Sequence, residues 1–351
     1  MSNIAAEPAV QVCQGRPDAG PVRELLPARA VPLGESTVVR RLLPTMGRRM
    51  VGAWCFVDHY GPDEIAREPG MQVPPHPHTG LQTVSWLLEG EVHHRDSLGS
   101  DCLIRPGELG LMTAGGGIAH SEQSPDPHAP MLHGAQLWVA LPDGERERAP
   151  SFDHHRELPV LREPGATATV LLGELAGARS PGQVHTALIG VDATLVSGAD
   201  AVLPLEGDFE HAVLTVSGAP EVDGEELRPG SLCYLGTGRS TLRLRAETPS
   251  RLLLLGGIPF TEKIVMWWNF IARTGEEIAA ARERWQAELT GEAGATEATG
   301  STGSGEFRPG PVRRRDRFRG SGARGAAAAV DAAAPARPYP VIGSSGSRPQ
   351  R

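Results

Sequence analysis

Long apolar runs are missing from this sequence. The longest, around Leu252 to Leu255, stops at Gly256 and Gly257, far short of the roughly 20 residues that a membrane helix needs. The first 30 residues hold no apolar core flanked by positive charge, so no signal peptide is expected. Cysteine is scarce. Cys13, Cys55, Cys102 and Cys233 are scattered with no CxxC pair, which argues against a zinc ribbon and against a disulfide framework. A basic excess is also lacking: Lys and Arg number 34 against 42 Asp and Glu, so direct nucleic-acid binding through a basic face is not expected. Together these absences predict a cytoplasmic protein with no membrane partner.

With 351 residues the chain has room for two domains of ordinary size. Residues 1–30 read as a loose N-terminal arm. From 31 to 150 the pattern is short apolar runs broken by Gly, Pro and Asp, among them Leu81 to Leu88, Cys102 to Ile104 and Leu109 to Met112. Such spacing predicts an all-β barrel or sandwich. A second β-rich block lies within 151–290, with runs at Thr167 to Leu172, Ala212 to Val216 and Leu242 to Leu255. The two blocks share an echo. I-R-P-G-E-L-G-L-M from Ile104 is matched by L-R-P-G-S-L-C-Y-L from Leu227, so two similar barrels in tandem are expected. A helix follows. Thr274 and Glu277 have capping-box spacing, and Ile278, Ala281, Trp285 and Leu289 fall on one face, which is expected to pack on a barrel. From 291 to 351 the composition collapses to Gly, Ala, Ser, Pro and Arg. It reads as a disordered tail, with Arg313, Arg314, Arg315, Arg317 and Arg319 as a solvated basic cluster.

Two motifs carry chemistry. G-M-Q-V-P-P-H-P-H-T-G from Gly70 places His76 and His78 two residues apart, and T-A-G-G-G-I-A-H-S-E from Thr113 does the same for His120 and Glu122. On a strand such a pair shares a face. Two strands facing one another across a barrel would then bring four donor atoms together. Three imidazoles and a carboxylate suit one divalent first-row transition metal, with iron(II), Mn, Co, Ni and Cu all accepting this set. The remaining histidines read otherwise. His93 and His94 are expected in a loop near the barrel mouth, followed by a turn at Asp96 and Ser97. His154 and His155 are expected at the surface, and His185 and His211 have no HxH or HxE partner. Cys55 and Cys102 are expected as core thiols. Trp267 and Trp268 are expected to anchor the helix rather than to stack on a ligand.

The paired motifs resemble the metal-binding cupin pattern and, more closely, the pirin family. The similar segments are H-P-H-T-G-L-Q-T-V-S-W-L-L-E-G, H-H-R-D-S-L-G-S, I-R-P-G-E-L-G-L-M-T-A-G-G-G-I-A-H-S-E and H-G-A-Q-L-W-V-A-L-P in the first block, and E-K-I-V-M-W-W-N-F and T-G-E-E-I-A-A-A in the second. The resemblance implies an all-β bicupin of two jelly-roll barrels. The metal would be held by His76, His78, His120 and Glu122 of the first barrel, and the second would be metal-free. It also implies one of two activities. The first is an iron-dependent dioxygenase that cleaves quercetin-type flavonols or related enols with O2, with Glu122 also serving as catalytic base. The second is a non-enzymatic, metal- or redox-responsive regulator that binds a transcription factor or a metabolic enzyme. The chain departs from the family pattern at Thr79, Gln82 and Gly116, which spares the ligands but removes charge near them.

Overall fold

The structure is a computed structural model that describes residues 11–15, 20–33 and 37–290. The expected tail from 291 and its arginine cluster lie outside the described residues. Among the described residues no helix is long and apolar enough to cross a membrane.

The first barrel is built from two sheets. A seven-stranded sheet runs in the order Ser151–His155, Leu109–Thr113, Leu81–Glu89, Met131–Ala140, Trp54–Glu64, Thr37–Leu43, Arg29–Leu33. A four-stranded sheet runs Gln72–His78, Ile118–Gln123, Val92–Asp96, Asp101–Ile104. The sheet extends past residue 150, because Ser151–His155 pairs along Leu109–Thr113. Leu81–Glu89 lies between two partners and is buried on both faces from Leu81 to Leu88, its polar Gln82, Thr83 and Ser85 included.

The second barrel repeats the plan. Its seven-stranded sheet runs Val160–Glu163, Ala166–Leu172, Leu188–Leu195, Ser250–Gly257, Glu210–Ser217, Ser231–Gly236, Pro21–Pro27, and its four-stranded sheet starts with Ala199–Pro204 and Thr241–Ala246. Each copy of the R-P-G turn delivers the chain into a strand of a seven-stranded sheet, Leu109–Thr113 in one barrel and Ser231–Gly236 in the other. The run Leu242 to Leu255 is two strands, broken after Ala246. Thr241–Ala246 alternates strictly, with Leu242 and Leu244 inward and Arg243 and Arg245 outward.

Residues 21–27, expected in a loose arm, instead form the outer strand of the second barrel, paired antiparallel with Ser231–Gly236. Their partner lies some 200 residues on, so no local pattern reveals it. The C-terminal segment crosses the other way. Ile264–Trp267 and Phe270–Ala272 form a small sheet with Gln11–Cys13, and Phe270 bridges to Thr79 of the first barrel. Gly80 takes φ +70°, and a side chain there would overlap the Ile271 carbonyl. The glycine of H-P-H-T-G is thus what lets this segment lie against the strand.

The helix Gly275–Thr290 follows, with the Glu277 N–H donating to Thr274 Oγ1 at 3.2 Å as the capping motif requires. Ile278, Ala281 and Trp285 pack with Ala119, Trp267 and Phe270. Leu289 does not join them; it is 66% exposed.

The barrels share one apolar core that includes Trp54, Leu81 and Leu137 of the first and Leu172, Leu214 and Leu253 of the second. Polar anchors are satisfied across the junction. Trp54 Nε1–H donates to the carbonyls of Ile189 and Gly256, each at 3.1 Å. Trp86 Nε1–H donates to Asp192 at 2.9 Å, and Asp192 is ion-paired with Arg251.

Candidate metal centre

Gln72–His78 and Ile118–Gln123 are not opposite one another, as the sequence led us to expect. They are adjacent antiparallel strands, with His120 in register with His76 and Ile118 with His78. The register slips once, between His120 and Glu122, where Pro74 and Pro75 form the extra length. Proline has no N–H, so a bulge there leaves no ladder donor unmade. Gly115, at φ +53°, turns the chain into Ile118–Gln123; a side chain on it would overlap the Arg148 carbonyl.

The ring nitrogens of His76, His78 and His120 form one cluster within 4.8 Å of one another, and ring centroids lie 4.4 to 5.0 Å apart. His78 and His120 are buried, and His76 is half-buried. Two of the rings are oriented from behind. His76 Nδ1–H donates to the Pro74 carbonyl at 2.8 Å, and His78 Nδ1–H donates to the Asn269 carbonyl at 3.1 Å. Each then points an Nε2 lone pair into the cluster. Burial pushes all three imidazoles down, His76 to about 4 and the other two well below the ordinary range. They are therefore neutral and competent as ligands. His78 Nε2 stands 3.1 Å from His120 Nε2. With the lone pairs of both Nε2 atoms turned inward, the two would repel unless a cation lay between them, and the donor set fits a metal ion.

Glu122 is buried and groups with His120 and His94, again within 4.8 Å, rather than with His76 and His78. Ser85 Oγ–H donates to Glu122 Oε1 at 2.8 Å. Burial raises the Glu122 carboxyl above its usual range, against the neighbouring His94 ring and hydrogen bonds from Ser85 and Gln136.

His94 departs from its expected place. It lies in the strand Val92–Asp96, not in a loop, and is 1% exposed. Its Nδ1 accepts from His120 Nδ1–H at 3.4 Å, its Nε2–H donates to Asp96 at 3.2 Å, and its ring stacks on Phe152 at 3.9 Å. Asp96 also makes the expected turn, accepting the N–H groups of Leu98 and Ser100. His94 and Asp96 share the i, i+2 spacing of the H-x-H and H-x-E pairs, but the adjacent His93 and the preceding glycine turn give the segment the look of a loop.

The cluster opens into a cavity of about 900 Å³, which His76, His78 and Glu122 line. One wall is an aromatic slab: Phe56 stacks on Trp138 at 4.0 Å and 13°, with the Arg41 guanidinium over Phe56 and paired with Asp58 at 2.7 Å. Trp267 and Trp268 also line the cavity, as well as anchoring the C-terminal segment. In the second barrel His211 is buried with no hydrogen-bond partner for either ring nitrogen. Among the described residues neither His185 nor His211 belongs to a cluster of three donors.

Residues 36–139 match the family model described as Pirin, and 190–291 match that of the Pirin C-terminal cupin domain. The chain is 48% identical over 261 residues to a Pseudomonas aeruginosa protein named "Putative quercetin 2,3-dioxygenase", covering 74% of this chain and 82% of that one. It is 34% identical over 217 residues to Pirin of Homo sapiens, covering 59% and 74%. Among solved structures, quercetin 2,3-dioxygenase from Acinetobacter baumannii matches with a TM-score of 0.74 at 40% identity, covering 83% of this chain and 97% of that one.

Proposed function

The chain belongs to the pirin family, and from that premise we propose that it is an iron-dependent dioxygenase acting on quercetin-type flavonols or related enols. The observation that carries this reading is the placement of His76, His78 and Glu122 on the lining of a cavity that Phe56 and Trp138 also line. An electron-transfer site needs no such volume, and a structural metal needs no access to it. His76, His78, His120 and Glu122 would hold the ion, which supplies Lewis acidity toward an enol oxygen and redox chemistry toward O2.

The protein's own groups do the rest. A flat aromatic substrate would pack beside the Phe56–Trp138 pair, which lines the same cavity as His76 and His78. Glu122, raised by burial, takes the enol proton; a carboxylate in that environment is a stronger base than one in water. Ser85 holds the carboxylate in place while it does so. The relatives named as quercetin dioxygenases support the substrate class.

The test is oxygen uptake by iron-loaded protein mixed with quercetin. Uptake should vanish in His76→Ala. In Glu122→Gln it should fall by roughly a hundredfold, the lower end of the usual general-base contribution. No uptake by wild-type protein with iron bound would remove the flavonol reading and move the weight to a protein-binding role.

A further inference from the structure

A second set of matched side chains lies on the first barrel outside the metal cluster. Cys102 is on the strand Asp101–Ile104, Glu108 closes the turn after it, and His154 is on Ser151–His155. Cys102 Sγ is 2.9 Å from His154 Nδ1, and His154 Nε2 is 2.8 Å from Glu108 Oε2. Cys102 and His154 were expected in the core and at the surface respectively. Both are half-buried, and one imidazole joins a thiol to a carboxylate. The carboxylate can only accept, so Nε2 carries the proton and Nδ1 is the lone pair that faces the thiol. The fold does not require this carboxylate. The matching turn of the second barrel has Ser231 where the first has Glu108. Cys13, Cys55 and Cys233 are fully buried, so Cys102 is the one cysteine that solvent reaches.

Burial raises the Cys102 thiol; Arg156 opposes this, Glu108 and Asp101 add to it, and Arg105 opposes it more weakly. Simple ionisation into water therefore leaves it as a thiol at neutral pH. A thiolate forms by passing its proton to His154, whose imidazolium Glu108 then stabilises.

We infer that Cys102, His154 and Glu108 form a nucleophilic thiol site that exchanges with low-molecular-weight disulfides. The Cys102 proton moves to His154 Nδ1, and the thiolate attacks one sulfur of the disulfide. A new bond forms from Cys102 Sγ to that sulfur, the original disulfide bond breaks, and the departing thiolate takes the proton back from His154. Cys102 is oxidised, one half of the disulfide is reduced to a free thiol, and no further reactant is needed.

The site sits against the support of the metal cluster. Cys102 is the register partner of His94, and Phe152, two residues before His154, stacks on His94. An adduct on Cys102 occupies space beside His94, so metal affinity falls on exchange. This consequence rests on the metal reading; the exchange itself does not.

The full-length protein is incubated with hydroxyethyl disulfide and followed by intact mass and peptide mapping. One adduct is expected, on Cys102, absent in Cys102→Ser. His154→Asn should slow its formation by roughly tenfold or more, and the shape-preserving Glu108→Gln by a smaller factor, with both variants melting as wild type does. Equal rates in wild type and both variants, or labelling first at another cysteine, would overturn the thiol site. Adduct formation with unchanged metal affinity would keep the site and overturn its coupling to the metal.

Discussion

The ring of His120 is held from behind by a two-step relay. His94 accepts its Nδ1–H, and Asp96 accepts the Nε2–H of His94. Partners of this kind typically contribute 10- to 100-fold to metal affinity. His94→Ala should therefore weaken iron or cobalt binding by roughly 10- to 100-fold in competition with a chromophoric chelator. His93→Ala, which removes a partly exposed ring paired with Asp101, should leave it unchanged. Equal affinity in wild type and His94→Ala would show that the relay does not support the cluster. The H-x-H and H-x-E pairs were legible in the sequence because a two-residue spacing on a strand has one geometric meaning. His94 was not, because two adjacent histidines after a glycine turn look like a loop. Only the pairing of Val92–Asp96 with Ile118–Gln123, which sets His94 opposite Glu122, gives it a role.

At the scale of elements, the strand Pro21–Pro27 shows what local pattern cannot reveal. It adds to the second barrel through Ser231–Gly236 and buries Leu26. Arg48 of the first barrel lies over the Tyr234 ring at 3.3 Å and pairs with Glu24 of this strand at 2.9 Å. The strand thus ties the two barrels together at one edge. Truncating a buried leucine costs about 2–5 kcal/mol, and the outer position of the strand places Leu26→Ala toward the lower end. Denaturant unfolding should show that loss as a lower midpoint. An unchanged midpoint would mean that the strand is held by its neighbours without contributing to the core. Leu289 gives the opposite lesson. Its helical spacing was right, but the last turn of Gly275–Thr290 runs past the surface it packs on, and the residue faces solvent.

For the whole molecule, the R-P-G echo made two similar barrels legible, and the shared core between them is what it could not show. Buried histidines shape the response to acid. Burial holds His59 at about 3 and His133 and His211 at about 4, against an ordinary value of 6.5. Once unfolded, these rings take protons as pH drops below about 6.5, while the folded protein takes none until near 4. Their stability contribution is therefore full above 6.5 and is lost on the descent toward 4. For His211 alone the gap is worth about 3 kcal/mol. His211→Leu removes a buried ring whose nitrogens make no hydrogen bond, so melting temperature against pH should be shallower between neutrality and pH 4. A slope equal to that of wild type would assign the acid response elsewhere. The crossing of the chain ends has a different consequence, one of timing. During synthesis the strand Pro21–Pro27 leaves the ribosome long before Ser231–Gly236, on which it pairs. The carbonyl of Asn269, which orients His78, emerges 191 residues after that histidine. A nascent chain arrested in the second barrel would carry all four expected ligands and still lack the group that aims one of them. The orientation of His78 seen in the folded protein is therefore available only after translation has passed Asn269.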